Sequence, residues 1–244
     1  MLNIRSAKIL DSAIRQYIAN GAPISSEELY DKYDFGIKPA SIRAELVHLT
    51  DEGFLAQPHT SGGRVPTEKG YQFVIDHFVA DVFGNKSTHP LSGNLAESFF
   101  NRNIPEFVDD FSRELHLLSV GFELGAGVYK RGFQELCERL DFENREDFLE
   151  VVRDFEMLDD RVAELKNNFF EEQLPQVFVG THSPITKSRH LSVIADSYDV
   201  NGEKFLLLAI GPIRMDYKKP LKVFKAIKDK NKLKNDPVRN SGRP

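Results

Sequence analysis

At 244 residues, with 41% hydrophobic, 28% charged and 11% aromatic side chains, the chain holds apolar material for about two packed units and lies outside the compositions of disordered or disulfide-built proteins. One cysteine, Cys137, cannot close an intrachain disulfide, no secretion signal opens the sequence, and no apolar run reaches the roughly 18 to 20 residues that cross a bilayer, so a cytoplasmic, non-membrane protein is expected. The net charge of -5 is uneven: residues 1–78 carry 8 basic and 10 acidic side chains, 79–217 carry 14 and 25, and 218–244 carry 10 and 2, which confines contact with a polyanion to limited places.

From Ile4 to Asn20 apolar residues recur at Ala7, Leu10, Ile14, Tyr17 and Ile18, the spacing of one buried helix face, and Gly21 ends that helix. Ser25 or Ser26 followed by Glu27 and Glu28 predicts the cap and acidic first turn of a short second helix carrying Leu29 and Tyr33. After the turn Phe35-Gly36-Ile37, Pro39 suits the first turn of a third helix, with Ile42, Leu46 and Leu49 inward and Gly53 as its stop. Residues 54–57 predict a short strand, 58–63 a polar loop and 64–65 the return strand. Thr67 and Glu68 then open a fourth helix through Tyr71, Val74, Ile75 and Phe78. This order is that of a winged helix-turn-helix, and residues 1–82 are taken as one DNA-binding domain.

In that architecture the third helix enters the major groove while the wing and loops hold the phosphate backbone. Lys38, Ser41, Arg43 and Glu45 lie off the apolar stripe; Ser41 and Arg43 are the candidates for base edges, Lys38 is a further DNA-binding candidate, and Glu45 reads as a structural or repelling charge. The wing loop supplies His59, hydroxyls at Thr60 and Ser61, two glycines and the cation Arg64, a set suited to close approach to phosphates. Lys69 and Tyr71 add candidate backbone contacts. Winged helices also serve as protein-interaction modules, and the slight acidity of residues 1–78 keeps that alternative open, as does the chance that Arg43 only salt-bridges on its own helix.

Residues 83–94, within which GNKSTHPLSGN runs, read as a linker. Residues 95–175 read as an acidic helical segment and a possible dimerisation region, with two helical stretches broken at Pro105 and a helix from Asp147 to Phe170. That helix would turn Phe148, Val151, Val152, Phe155, Leu158, Val162 and Leu165 inward, and its carboxylates, with Asp159-Asp160 and Glu171-Glu172, are expected to be solvated. Residues 176–230 change texture: 177–179, 191–195 and 205–210 are strand-like, Asn201-Gly202 is a hairpin turn, and a helix follows from about 220 to 230. The fold class is therefore α+β. The basic tail 231–244 is expected to be disordered and to add nonspecific DNA affinity.

No nucleophile with a base, metal-ligand cluster or phosphate loop appears at useful spacing; Gly125-Ala126-Gly127 lacks the later glycine of a dinucleotide fingerprint, and His182 and His190 are isolated. Cys137 reads as a small buried residue. Neither an enzyme nor a bound metal or cofactor is expected.

The run QPHTSGGRVPTEKGY at 57–71, with GAPISS at 21–26 and ASIRAEL at 40–46, resembles the HrcA family of bacterial heat-shock repressors, and GPIRMDY at 211–217 resembles that family's C-terminal signature. Residues 1–80 and about 130–228 carry the resemblance. It implies a reduced GAF-like domain after the winged helix, repression of chaperone operons by a homodimer on an inverted-repeat operator in double-stranded DNA, and tuning by temperature and the chaperonin. The chain is shorter than the family's pattern, with the shortfall placed between the wing unit and Gly132. Arg214 and Asp216 would pair to fix a sheet-to-helix corner or would line a sensory pocket, with Tyr217 beside them. This chain departs from the family in having Ser41 for Thr, Ala44 for Asn, Gly63 for Ala and Gln72 for a basic residue, so its operator need not be the usual one.

Overall fold

The computed structural model describes residues 2–59, 62–85, 90–123, 125–142, 144–169, 174–200 and 202–235. They form two compact units, 1–78 together with Arg214–Asp216, and 79–213 together with 217 onward. The division falls inside a helix, ahead of the expected 83–94 linker, and residues 86–89 of that linker lie outside the described residues.

The first unit opens with α1, Ile4–Asn20, capped by the Asn3 side chain on the Ser6 amide and closed by Gly21 in the left-handed conformation (φ 68°). Its buried face is Ile9, Leu10, Ala13 and Ile14; Ala7, Tyr17 and Ile18 are only half-buried. Helix α2, Ser26–Lys32, begins in a capping box in which Ser25 accepts from the Glu28 amide and Glu28 accepts from the Ser25 amide. Helix α3, Pro39–Asp51, buries Ile42, Leu46 and Leu49, as the spacing predicts. The wing is the antiparallel pair β1, Leu55–Ala56, and β2, Val65–Pro66, followed by α4, Glu68–Gly84. This order and pairing match a winged helix-turn-helix.

The second unit is built on a five-stranded antiparallel sheet in the order β4-β3-β7-β6-β5. Its strands are β3, Leu118–Glu123; β4, Gly127–Arg131; β5, Gln176–Val179; β6, Leu191–Val200; and β7, Glu203–Pro212. Helices α5, Gly93–Phe100, and α6, Ile104–Leu115, precede β3; α7, Phe133–Glu138, α8, Arg145–Glu156, and α9, Leu158–Phe169, lie between β4 and β5; and α10, Lys218–Asn235, follows β7. Alternation along each strand divides the core. Leu118, Val120, Leu191, Val193, Leu206 and Leu208 face α7, α8 and α9. On the opposite face Tyr198 and Phe205 pack with Phe99, Phe107, Phe111 and Phe224 from α5, α6 and α10. At Gly121 of β3 a Cβ would lie 2.6 Å from Val108 of α6, so the glycine is what lets that helix approach the sheet.

This sheet corrects the expected 95–175 helical segment, because residues 118–131 are two of its strands. Helix α6 stops at His116, which adopts the left-handed conformation (φ 53°), and the apolar run that follows pairs Leu118–Glu123 with Ile210–Phe205 of β7. The expected 147–170 helix is two helices. They meet at Met157, and the buried stripe runs across the junction through Asp147, Val151, Asp154, Leu158 and Val162, leaving Phe148 exposed against the Phe142 ring.

Two carboxylates expected in solvent are instead buried. Asp154 on α8, 2% exposed, accepts from the amides of Lys187 and Ser188 and from Arg161 of α9, whose guanidinium also donates to the Ile185 carbonyl. Asp147 lies 3.3 Å from both Arg189 and His190. These carboxylates latch the 185–190 loop onto α8. Asp159 is exposed and pairs with Lys130 at 2.8 Å, whereas Glu171 and Glu172 lie outside the described residues. Helix α10 extends through Asn235 into the expected tail; residues 236–244 lie outside the described residues.

Candidate nucleic-acid interface

The candidate interface is formed by α3, the residues leading into α2, and the wing. Arg64 of the wing exchanges two backbone hydrogen bonds with Ile24, each 2.8 Å, so the wing is stitched to the start of α2 as well as paired within itself. At Gly63 a Cβ would meet the Ile24 carbonyl oxygen at 2.6 Å, which identifies the close approach that this glycine permits. The base of the wing is tied to α4 by Thr67, whose hydroxyl lies 2.8 Å from the Gly53 carbonyl, whose amide donates to the Phe54 carbonyl, and whose oxygen accepts from the Gly70 amide.

Between these elements lies an open cleft of about 240 Å³, lined by Ser25, Glu27, Arg43, Gln57, Gly62 and Arg64 among others. Arg43 is exposed and has no hydrogen bond or ion pair among the described residues, so the surface salt bridge considered for it does not form there. Arg64 is half-buried, and its Nε donates to Thr50 Oγ1 at 2.9 Å while Thr50 donates to the Leu46 carbonyl, so α3 itself aims this guanidinium. Two cations thus face one cleft from two elements, with Glu27 as the acid on its wall.

Lys38 is the exposed residue that caps α3, and Ser41 is exposed one turn in. Glu45 is held structurally, accepting from the buried Ser6 hydroxyl at 2.7 Å. His59 is exposed, and its carbonyl accepts from Gly62 in the wing turn; Thr60 and Ser61 lie outside the described residues. Lys69 is exposed but engaged: its Nζ donates to the Glu52 carbonyl at the end of α3 and sits 4.3 Å from the Phe54 ring centroid. Tyr71 requires a correction. At 2% exposure it is a core side chain, the first member of the Tyr71, Val74, Ile75, Phe78 stripe, and its ring cannot reach a DNA backbone.

Ala40, Val47 and His48 are also exposed on α3, beside Ala44. They lie across the helix from Ile42, Leu46 and Leu49.

The C-terminal candidates separate. Asp216 is exposed and Arg214 half-buried, with its guanidinium carbon 5.8 Å from the Tyr17 ring centroid. Tyr217 fastens the corner. Its hydroxyl donates to the Ile213 carbonyl at 2.7 Å and accepts from Ser192 of β6 at 2.7 Å, joining the end of β7 to the start of α10. Burial pushes the Tyr217 hydroxyl well above the usual tyrosine range, against a smaller opposing effect of Ser192. Cys137 is half-buried, and its burial raises the thiol's pKa. No group of His, Cys, Asp and Glu among the described residues could hold a metal ion, and no helix among them is long and apolar enough to cross a membrane.

A winged-helix order joined to a GAF-like antiparallel sheet unit defines the class of protein, an α+β chain with a candidate nucleic-acid interface on its first unit. Residues 74–220 match the family described as HrcA protein C terminal domain, and the chain belongs to the HrcA family. The match begins in α4 and runs through the 81–129 segment, where the sequence resemblance had been least visible.

Relatives include the heat-inducible transcription repressor HrcA of Natranaerobius thermophilus, 31% identical over 178 residues, which are 72% of this chain and 51% of that protein. The protein of the same name from Alkaliphilus metalliredigens is 46% identical over 78 residues, 32% of this chain and 23% of that one. The chain therefore matches about half or less of the length of these relatives. A crystal structure described as a hypothetical protein shares the fold, with a TM-score of 0.71 at 17% identity over 96% of this chain and 98% of its own.

Proposed function

We propose that the chain is a DNA-binding transcription repressor of heat-shock chaperone operons, acting as a homodimer on an inverted-repeat operator and modulated by temperature and the chaperonin. The observation that carries the reading is the cleft between α3 and the wing, where Arg43, unpaired among the described residues, and an aimed Arg64 face the same space in a chain of the HrcA family. Arg43, Ser41 and Lys38 would approach the major groove, while Arg64, His59 and the wing glycines would follow the backbone. Two copies related by a two-fold axis would match the two halves of an inverted repeat.

Anisotropy titration against a palindromic chaperone-operon duplex and a scrambled duplex, at two salt concentrations, tests this. Operator binding about a thousandfold tighter than scrambled is expected, the low end for specific readers. Equal binding to both duplexes, or none, would give first place to the reading of the winged helix as a protein-interaction module. Repeating the titration after mild heating, with and without chaperonin, tests the regulatory half: unchanged affinity in every arm would remove it.

A further inference from the structure

The third helix sorts its side chains in an unexpected way for a surface that meets a charged, polar groove. With about 100° between successive residues, the direction opposite Ile42, Leu46 and Leu49 is occupied by Ala40, Ala44 and Val47, with the exposed Asp51 closing the ridge at the C-terminal end of the helix. Arg43 flanks this ridge on one side, Ser41 and His48 on the other, and all three are exposed. Val47 is 41% exposed on a helix whose larger aliphatic residues, Ile42, Leu46 and Leu49, point inward. Isolated exposed apolar residues need no explanation, but here the branched side chain is continuous with Ala44 and is bracketed by polar groups.

We propose that Val47, with Ala44, determines operator specificity by packing against thymine methyl groups, a claim that rests on the DNA-binding reading above. Base edges in the major groove offer a single apolar group, the C5-methyl of thymine, and alanine-sized and branched apolar side chains are its partners. Ala40 and Ala44 let the helix axis approach the base edges, and Val47 fills the added depth. The occupant is a duplex because the N-terminal half of the ridge is flanked by cations, Arg43 beside it, Lys38 at the head of the helix and Arg64 on the adjoining wing, while the acids Asp51 and Glu52 stand at the far end of the helix. Ser41 and Arg43 then hold the flanks, with the apex of the helix reading methyl groups.

The test begins by selecting a preferred duplex from a randomised pool with the full chain, then replacing its thymines one at a time by deoxyuridine, which removes only the methyl. We expect one or two positions in each half-site where affinity falls about fourfold, the equivalent of one buried methylene. At one of those positions the loss should vanish in Val47→Ala, whose own affinity for the thymine duplex should already be lower. Failure to select any duplex would sink the DNA-binding reading and this inference together. Strong selection with a site that lacks thymine, or with equal affinity for every uracil-substituted duplex, would overturn the inference alone. Sensitivity that persists unchanged in both Val47→Ala and Ala44→Ser would remove the assignment to these residues.

Discussion

Replacing Arg64 by alanine removes two separable things. One is the charge-assisted Nε hydrogen bond to Thr50 Oγ1 at 2.9 Å, which on this half-buried pair contributes about 1.5 kcal/mol, the low end for bonds with one ionised partner. The other is a cation facing the cleft beside Arg43. If that cation sits on a phosphate, its loss reduces the slope of log K against log salt by about 0.9 per protomer, about 1.8 for the dimer, on operator and random DNA alike. The backbone pairing of residue 64 with Ile24 does not use the side chain, so the wing should stay attached. Thr50→Val separates the contributions, since it deletes the orienting hydroxyl but keeps the charge. We expect Thr50→Val to weaken binding with an unchanged slope, and Arg64→Ala to weaken it with a reduced one. Anisotropy at four or more salt concentrations gives both slopes. An Arg64→Ala slope equal to that of the parent would refute the phosphate contact, whatever the change in affinity.

Three further outcomes concern the scaffold. Gly70→Ala places a Cβ 2.1 Å from the Phe54 carbonyl oxygen, so it should destabilise the first unit by about 1 to 3 kcal/mol, read as a lower urea midpoint; an unchanged midpoint would contradict the packing at the base of the wing. Asp154→Ala strips Lys187, Ser188 and Arg161 of a shared buried acceptor and should cost about 3 to 5 kcal/mol, with faster amide exchange at residues 187 and 188. Asp196, buried on β6 and paired with Lys228 at 2.7 Å, has its carboxyl pKa raised by burial, only partly offset by Lys228. A raised carboxyl contributes most below the unfolded pKa and loses that contribution as pH rises through the folded one. The stability of the parent relative to Asp196→Asn should therefore fall as pH rises from below 3.8 through the folded value, and a relative stability that increases over this window would show the opposite shift.

Local chemistry made the first unit legible. The capping box of Ser25 and Glu28, Pro39 at the head of α3 and the inward triplet Ile42, Leu46 and Leu49 depend on residues within a turn or two of one another. The burial of Tyr71 is legible on the same grounds, because its spacing to Val74, Ile75 and Phe78 is that of a buried face. The β3–β4 hairpin was not legible in this way. Leu118–Glu123 is a short apolar run, a length at which strand and buried helix look alike, and besides β4 it pairs with β7, far along the chain, which fixes it in the sheet.

The sequence by itself determined the order of the winged-helix elements, the antiparallel pairing of β6 with β7 and the family to which the chain belongs, because each is written in short-range patterns or in runs of matching residues. Tertiary structure alone decided which polar groups are structural and which are available. Asp154 and Asp147 read as solvated until the 185–190 loop lay across them, and the exposed Lys69 is oriented by the Glu52 carbonyl. The distinction between Arg43, unpartnered among the described residues, and Arg64, aimed by Thr50, has the same origin. Burial and hydrogen bonding are properties of what surrounds a side chain, and those surroundings are assembled from segments that no local pattern connects.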